Sequence, residues 1–318
     1  MFQRVELHNH TTHSDGSLTP AQLAEYAAAQ NFGVLALTDH NTVSGHEALR
    51  AAIAQKNLPL SLLPGVEITT FYGHILALGL TQMVDFSMLD PDRPEAFFRQ
   101  LHAAGARAVG IAHPYCIGRP IMAGCRMSLD IHDWSAVDYL EVFNTSIEES
   151  PMGISPFAEA FGGNTQALAL WQDLVLHGYR LAAVTGKDIH RIPQQADVFV
   201  SYAELEPGDT APLSEQVIGA VLRQKTIVTK GPLLSTRLCG GCVRVSYDAA
   251  NRPQDCLLEL RAGSAPAQWV KTDLQTPVEI ALPEHFSGAV VKLYRSARTA
   301  GLDDLLAVGA PVFEGSVQ

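Results

Sequence analysis

Histidines and carboxylates recur directly after, or close to, short apolar segments of this sequence. Val5–Leu7 precedes the first pair, His8-Asn9-His10. The later segments and the side chains near them are Val34–Leu37 with Asp39 and His40, Leu62–Val66 with Glu67, Val109–Ala112 with His113, and Leu181–Val184 with Asp188 and His190. A short apolar run bounded by polar residues is consistent with a buried strand. We therefore expect these side chains at the ends of several strands, where they would form one shared cluster.

Two pairs of these side chains have the spacing of chelating ligands. Successive residues of an extended segment point to opposite faces, so residues i and i+2 lie on the same side. His8 with His10, and Asp188 with His190, therefore form two such pairs. Imidazole and carboxylate ligands suit divalent Zn, Mn or Fe. An isolated histidine is usually an ordinary side chain, so the metal interpretation depends on the repetition at strand ends.

The size and composition are those of a folded protein with one large core and a small accessory domain. The chain has 318 residues, of which 47% are hydrophobic and 17% are charged. Its net charge of -11 and the lack of a lysine or arginine run argue against duplex nucleic acid as a partner. Bound metal ions would still make a pocket positive, so a small anionic substrate remains compatible with this charge. We expect a small-molecule substrate.

The N-terminal sequence and the cysteines favour a cytoplasmic location. Met1–Leu7 leads directly into the first ligand pair without the basic and apolar regions of a signal peptide. No segment reaches the roughly 18 consecutive apolar residues of a membrane span, so we expect no membrane association. The odd number of cysteines, five, agrees with reduced thiols. We expect a plain turn at Cys239–Cys242 and no chemical role for the others, which are Cys116, Cys125 and Cys256.

Apolar segments alternate with helical patterns through most of the chain. Thr19-Pro20-Ala21-Gln22 provides an N-cap, a proline at the first helical position and a capping-box glutamine. Val34–Leu37 has no polar alternation, which is typical of a parallel strand covered on both faces. About seven such units could close into an α/β barrel with its active site at the carboxyl ends of the strands. This pattern predicts a barrel domain over residues 1–237.

The pattern changes after about Leu238. Segments such as Val243–Tyr247 and Val278–Leu282 alternate between apolar and polar residues, with turn residues between them. They predict a small antiparallel, β-sandwich-like accessory domain over residues 238–318. This domain contains no cluster of reactive side chains, so we expect it to be a structural cap or a contact surface in a homo-oligomer.

Taken together, the motifs resemble those of PHP-type metal-dependent hydrolases. The segments that carry the resemblance are Glu6–Gly16, Thr38–Asn41, Gly65–Glu67, Gly73–His74, Ala112–Pro114 and Asp188–His190. The resemblance covers about residues 5–235 and implies a distorted (β/α)7 barrel with two or three divalent ions. Glu141–Asn144, the helix around Trp171 and the β region after Gly231-Pro232 resemble more narrowly the carbaryl-type carbamate hydrolases.

The resemblance also implies roles for individual side chains. The three groups of implied metal ligands are His8, His10, Glu67 and Asp188 for a first ion, Glu67, His74 and His113 for a second, and Asp15, His40 and His190 for a third. The expected catalytic groups are Glu67, Asp188, His113 and Asp39. Asp39 is expected to orient the imidazole of its neighbour His40, because metal-bound imidazoles commonly need such a partner.

Hydrolysis is the reaction that such a centre favours. Two ions about 3.5 to 4 Å apart convert a bridging water to hydroxide near neutral pH and polarise the bond to be broken. The sequence has neither the Gly-x-Ser-x-Gly motif of serine hydrolases nor a Walker-type phosphate loop. The expected substrate is a phosphoester of a small molecule or nucleotide, and the candidate contact residues are Arg119, Tyr115, Lys187 and Asn144. A carbamate, aryl ester or amide hydrolase, and a non-catalytic metal-binding module, are the alternatives.

Overall fold

The computed structural model describes residues 1–117, 124–144, 163–192, 199–295 and 302–315. Its helices are α1 (Pro20–Ala29), α2 (His46–Gln55), α3 (Glu95–Ala103), α4 (Gly163–Leu176) and α5 (Leu213–Leu222), with a short 3-10 helix at Trp134–Ala136. Helix α1 begins as its sequence predicts, with Thr19 as N-cap and a capping box with Gln22. In the described part of the chain, no helix is long and apolar enough to cross a membrane.

The strands fall into two consecutive sets along the chain. The first set is β1 (Phe2–Glu6), β2 (Val34–Leu37), β3 (Ser61–Thr70), β4 (Gly73–Leu78), β5 (Ala108–Ile111), β6 (Tyr139–Asn144), β7 (Ala182–Gly186), β8 (Val200–Glu204) and β9 (Thr226–Thr229). The second set is β10 (Leu234–Cys239), β11 (Cys242–Tyr247), β12 (Cys256–Ala262), β13 (Gln268–Thr272), β14 (Val278–Ala281), β15 (Gly288–Tyr294), β16 (Leu305–Val308) and β17 (Val312–Phe313). Val34–Leu37 and Ala108–Ile111 are buried along their whole length, as strands covered on both faces should be.

The large sheet contains both parallel and antiparallel strand pairs. Strands β1, β2 and β3 are parallel, and so are β5, β6 and β7. Strand β4 lies between these groups and is antiparallel to both of its neighbours, β3 and β5. Only Phe71 and Tyr72 connect β3 to β4, whereas a parallel crossover needs a dozen residues or more. Parallel pairing at this point is therefore sterically impossible.

The predicted closed (β/α)7 barrel is not confirmed, although the α/β class is. Among the described residues no backbone ladder joins β7 to β8, so the sheet remains open between them. Side chains connect the strands instead, since Ser201 Oγ accepts a 2.7 Å hydrogen bond from the backbone N–H of Thr185. Strand β8 has no counterpart in the sequence-based pattern, and it pairs with β1 in the antiparallel direction.

The predicted second β-rich region is present, and its strands continue the large sheet. Strand β16 pairs with β9 through Ala307 with Thr229 and Val308 with Val228. Strands β15, β12 and β13 extend the sheet further, while β10, β11 and β14 form a separate three-stranded sheet. The division into domains at residues 237 and 238 stays a prediction, because one hydrogen-bonded sheet runs through both regions.

Substituting Gly288 by alanine tests the packing of the second region against helix α4. A Cβ atom at Gly288 would lie 2.0 Å from the carbonyl oxygen of Val175, so β15 or the helix end would have to move. We expect Gly288→Ala to lower the free energy of unfolding by about 3 kcal/mol, the upper part of the usual overpacking range. Thermal unfolding measures the change. Glu279→Ala, at an exposed position of β14, is the control and should change stability by less than about 0.5 kcal/mol; equal stabilities of the two variants would contradict this packing.

Candidate metal centre

The nine side chains predicted to bind metal lie at one edge of the large sheet. His8, His10 and Asp15 lie between β1 and α1, His40 follows β2, and Glu67 lies near the end of β3. The remaining ones follow the same rule with one exception: His113 comes after β5, Asp188 and His190 come after β7, and His74 stands at the start of β4. His74 lies at the same edge of the sheet because β4 is antiparallel, which places the beginning of β4 beside the ends of β3 and β5. Short connections thus bring distant parts of the sequence together.

Glu67 is at the centre of this cluster. Its side chain is fully buried, and five imidazoles surround it. From Oε2 the distances are 3.2 Å to His8 Nε2, 3.3 Å to His10 Nε2 and 2.8 Å to His40 Nδ1; from Oε1 they are 2.8 Å to His74 Nδ1 and 3.3 Å to His113 Nε2. The two oxygens thus face different groups of imidazoles, as a carboxylate that bridges two cations would.

Asp188 and Asp15 complete the cluster toward the solvent. Asp188 Oδ1 lies 3.0 Å from His10 Nε2 and 3.3 Å from His190 Nδ1. Asp15 Oδ1 lies 3.1 Å from His190 Nε2 and 3.5 Å from His40 Nε2. The exposed fraction rises from zero for the side chain of His10 to 33% for His190 and 59% for Asp15. The cluster therefore has a closed interior and an open mouth.

The chemistry of these atoms fits divalent metal ions. His8 Nε2, His10 Nε2 and Glu67 Oε2 are buried and have no partner in hydrogen-bonding geometry among the described residues. Such atoms are costly to bury unless they bind a cation. The nine predicted ligands form four sets in which the ligand atoms all lie within 4.8 Å of one another. These sets are His8, His10 and Asp188; His8, Glu67 and His113; His40, Glu67 and His74; and His10, Asp15, His40 and His190.

The electrostatics of the metal-free cluster are dominated by burial and by the carboxylates. Burial disfavours the charge of Glu67, but the positive charges of His8 and His74 hold the pKa of its carboxyl well below its usual value. Burial likewise opposes protonation of His113 and His190, but hydrogen bonds and carboxylate charges raise the pKa of His113 to about 10 and that of His190 to about 9. In His10 burial prevails and lowers the pKa. Protons on some of these imidazoles therefore replace metal ions as counter-charges.

The backbone at two of the predicted ligands is in the left-handed region. His113 has φ 23° and Asp188 has φ 50°, which non-glycine residues rarely adopt. Each such residue costs about 1–3 kcal/mol and persists where the surrounding structure imposes it. Both positions lie directly after a strand, where the chain must turn to direct the side chain into the cluster.

The predicted role of Asp39 is wrong. Its carboxylate contacts the turn at residues 11–14 rather than an imidazole. Oδ1 accepts hydrogen bonds of 2.7 Å from the Thr11 backbone N–H and from Ser14 Oγ, and Oδ2 accepts one of 2.7 Å from Thr11 Oγ1. Asp39 therefore fixes the turn that leads to Asp15, and it does not touch the cluster as a catalytic group would.

Glu141 has the role that the sequence analysis assigned to Asp39. Glu141 Oε1 lies 2.7 Å from His8 Nδ1, and Oε2 accepts a 2.9 Å hydrogen bond from the backbone N–H of His113. Directing the other ring nitrogen of His8 into the cluster is the usual function of such a carboxylate. The signal for this residue was a charged side chain inside the apolar strand β6. Glu6, at the end of β1, is a second missed carboxylate, and burial raises its pKa to about 7.

The four predicted substrate contacts have different outcomes. Arg119 lies outside the described residues. Tyr115 is half-buried and lies under the Arg126 guanidinium, whose carbon is 5.5 Å from the ring centroid. Lys187 is buried, and its positive charge favours the ionised form of Glu6. A phosphate ligand would instead be exposed to solvent. Asn144 is also buried, and its amide donates to Glu141 Oε2 and Asp188 Oδ2 at 3.2 and 3.4 Å, so its contact with substrate stays a prediction.

Comparison with known proteins supports the family resemblance. Residues 6–113 match the family model described as "PHP domain". The 5'-3' exoribonuclease Rnm of Salmonella typhimurium strain LT2 is 40% identical over 99 residues, which are 29% of this chain and 34% of that protein. The 3',5'-nucleoside bisphosphate phosphatase of Chromobacterium violaceum is 40% identical over 80 residues, or 24% and 27% of the two chains. The matched part thus spans about a third of the length of these curated relatives.

A solved structure resembles the whole fold. It is a two-domain protein containing a predicted PHP-like metal-dependent phosphoesterase from Bacteroides vulgatus ATCC 8482, with a TM-score of 0.54 and 16% sequence identity. The superposition covers 98% of this chain and 95% of that one. At this identity the likeness concerns the fold alone, namely a PHP-like α/β region followed by a β-rich region.

The pKa values predict that metal affinity rises with pH. With pKa values of about 10 and 9, His113 and His190 are protonated at neutral pH in the metal-free protein, and both must lose that proton to bind an ion. We expect proton release on Mn²⁺ binding and an affinity that increases from pH 7 to pH 9. Calorimetry in buffers of different ionisation enthalpy measures the released protons. A heat that does not depend on the buffer would contradict these protonation states.

The same shift predicts the pH dependence of stability without metal. A histidine with a raised pKa stabilises the fold fully below its ordinary value of 6.5, and this stabilisation is lost as the pH rises through the folded value. We expect the melting temperature of the metal-free protein to fall between pH 7 and pH 9 because His190 loses its proton. The protein saturated with Mn²⁺ is the control, since its imidazoles are already neutral, and a parallel fall there would assign the effect to other groups.

Removing one charge at Glu141 tests its positioning role. In Glu141→Gln one carboxylate oxygen becomes an amide nitrogen, which accepts no hydrogen bond, so the side chain keeps an acceptor for only one of His8 and the His113 backbone N–H. We expect Mn²⁺ affinity to fall about 10- to 100-fold, as for other partners of metal-bound imidazoles. Titration calorimetry provides the measurement. Glu95→Gln is a matched control, because Glu95 is also buried and accepts two backbone hydrogen bonds, but from residues 132 and 133. Equal affinities for the two variants would remove Glu141 from the centre.

Proposed function

We propose that this protein is a metal-dependent phosphoesterase that hydrolyses a phosphoester of a small molecule or nucleotide. The observation that carries the proposal is the position of Glu67, whose two buried oxygens face five imidazoles. The match to a PHP domain and the names of the two bacterial relatives, an exoribonuclease and a nucleoside bisphosphate phosphatase, support the phosphoester chemistry. All of these activities break a phosphorus–oxygen bond with water.

Bound metal ions would supply a nucleophile from water at neutral pH and neutralise charge on the phosphoryl oxygens. The buried and the exposed residues of the cluster have different roles. His8, His10, Glu67 and Asp188 form the buried floor, which excludes bulk water and strengthens electrostatic interactions there. Asp15, His40 and His190 lie at the exposed mouth, where a substrate arrives first.

Exposed aromatic residues beside the mouth favour a substrate with a base. Phe71 and Tyr72, which are 72% and 40% exposed, form the connection between β3 and β4 directly before Gly73 and His74. Large exposed apolar side chains have no packing role, and aromatic rings next to a phosphate site are the usual platform for stacking unpaired bases. The cation of Arg126 on the neighbouring segment could contact a phosphate. A nucleotide or the end of a single strand fits this arrangement better than a duplex.

The other sequence-based alternatives stay predictions. None of the relatives described above is named for carbamate or ester hydrolysis. A carbamate or aryl ester would need an apolar cleft, but Phe143 of β6 is 2% exposed and stacks on Phe199 with ring centroids 4.0 Å apart. A non-catalytic metal-binding module would not need the open mouth at Asp15 and His190.

A substrate panel separates these functions. We expect the Mn²⁺-loaded protein to release phosphate from a nucleoside 3',5'-bisphosphate and from a 5'-phosphorylated oligonucleotide, and to leave an aryl carbamate intact. Glu67→Gln should lose more than about a thousandfold in kcat/KM, because the bridging charge is removed. Asp173→Asn, at an exposed site of α4, should behave like the wild type. Turnover of the carbamate alone, or of neither class, would refute the phosphoesterase proposal.

The aromatic connection has its own test. We expect Phe71→Ala and Tyr72→Ala to raise KM for the nucleotide substrate about 5- to 150-fold, corresponding to the loss of one stacking contact worth about 1–3 kcal/mol. Hydrolysis of a phosphoester without a base, such as methyl phosphate, should not change. Met88→Ala is the control for an exposed apolar residue outside this turn, since Met88 is 88% exposed. An equal loss for both substrates would assign these residues to folding instead of base recognition.

A further inference from the structure

Two cysteines that the sequence analysis left without a role lie directly behind His113. Cys116 and Cys125 are each 8% exposed, and their sulfur atoms are 2.7 Å apart. The Sγ atom of Cys125 is also 4.0 Å from His113 Nδ1, the ring nitrogen opposite the one that faces Glu67. No ligand role in the proposed metal centre involves these thiols.

From this arrangement we propose that Cys116 and Cys125 form a reversible disulfide, and that this oxidation weakens the binding of metal by His113. The first half of the proposal depends only on the positions of the two thiols. The second half rests on the proposed metal centre.

Backbone contacts fix the two thiols next to each other. The Cys116 N–H donates to the His113 carbonyl at 2.9 Å, and the Met127 N–H donates to the Pro114 carbonyl at 3.0 Å. The segments that carry the two cysteines are therefore held side by side, and the side chains meet between them. A disulfide needs a sulfur–sulfur distance of about 2.05 Å and correctly directed Cβ atoms, which a small adjustment of side-chain torsions at 2.7 Å can provide.

The thiols are coupled to the metal centre through the ring of His113. If Nε2 binds an ion, Nδ1 carries the proton and needs an acceptor, and the sulfur of Cys125 lies 4.0 Å from it. A disulfide sulfur is a poorer acceptor than a thiol or thiolate. Its formation also draws Cys125 toward Cys116, so the ring loses the contact that fixes its orientation.

Hydrogen peroxide is an oxidant small enough to reach thiols that are this deeply buried. One sulfur attacks a peroxide oxygen, the O–O bond breaks, and a sulfenic acid and one water are formed. The second thiol attacks that sulfur, forms the S–S bond and releases a second water. Two thiols and one peroxide thus give one disulfide and two waters, with the two electrons passing from sulfur to oxygen. A phosphine or dithiol reductant reverses the change.

The experiment uses a full-length variant in which this pair holds the only cysteines. Cys239 and Cys242 face each other across the β10–β11 hairpin and could themselves form a disulfide, so they and Cys256 are replaced by serine. The variant is treated with peroxide, which is then removed. Thiols are counted in denaturant, the linked peptides are identified by mass spectrometry, and Mn²⁺ affinity is measured by calorimetry. We expect two thiols to disappear, the dissociation constant for Mn²⁺ to rise about 10- to 100-fold, and a phosphine to restore both values.

Single substitutions separate the disulfide from general damage. Cys125→Ser and Cys116→Ala, made in the same background, cannot form the bond and should keep their Mn²⁺ affinity after peroxide. A loss of affinity in these variants equal to that of the parent would overturn the proposal, as would a disulfide that leaves the affinity unchanged or thiols that survive peroxide. None of these measurements uses a substrate, so they remain valid if the protein proves not to be a phosphoesterase. Failure of the parent to bind Mn²⁺ before oxidation would instead refute the metal centre and with it the second half of the proposal.

Discussion

The burial of the Glu67 carboxylate among five imidazoles is the constraint on which the rest of the site depends. A charged carboxylate without compensation costs several kcal/mol to bury. Here cations must surround it on both oxygens, and the five imidazoles that do so come from four separate segments of the sequence. The cluster and the fold are therefore mutually dependent, because the strands must end together for the charge to be balanced, and the balanced charge stabilises the strand ends.

This requirement explains the direction of β4. A parallel strand would have its ligand at its carboxyl end, but β4 runs in the opposite direction and has His74 as its second residue. The two-residue connection after β3 places His74 beside Glu67 with little loop entropy to lose. A regular barrel would have needed a crossover helix at this point. The antiparallel direction of β4, which departs from a regular α/β barrel, is thus also what positions one of the ligands.

Seven of the nine clustered side chains could be predicted from a local signal, an apolar segment beside a histidine or carboxylate, whereas Asp15 and His74 followed only from the family resemblance. The partners of those side chains were harder to predict. Asp39 and Glu141 are both carboxylates next to apolar residues, and only the tertiary structure shows that the first holds a turn and the second orients His8. The sequence also gives no sign that Asn144 meets Asp188, 44 residues away, or that Cys116 meets Cys125, because these contacts exist only in the tertiary structure.

The partners of the buried ligands determine which part of the metal centre oxidation could regulate. Glu141 holds the outer nitrogen of the interior ligand His8, whereas the side chain of His190 is 33% exposed to solvent. His113 differs from His8 in that its outer nitrogen meets sulfur instead of a carboxylate. A carboxylate partner is chemically inert, but a thiol partner changes with the redox potential around it. Of these two partners, only the one that supports His113 can be altered by oxidation. In the proposed arrangement His113 shares the second ion with His74 and Glu67, so oxidation would first affect the occupancy of that ion.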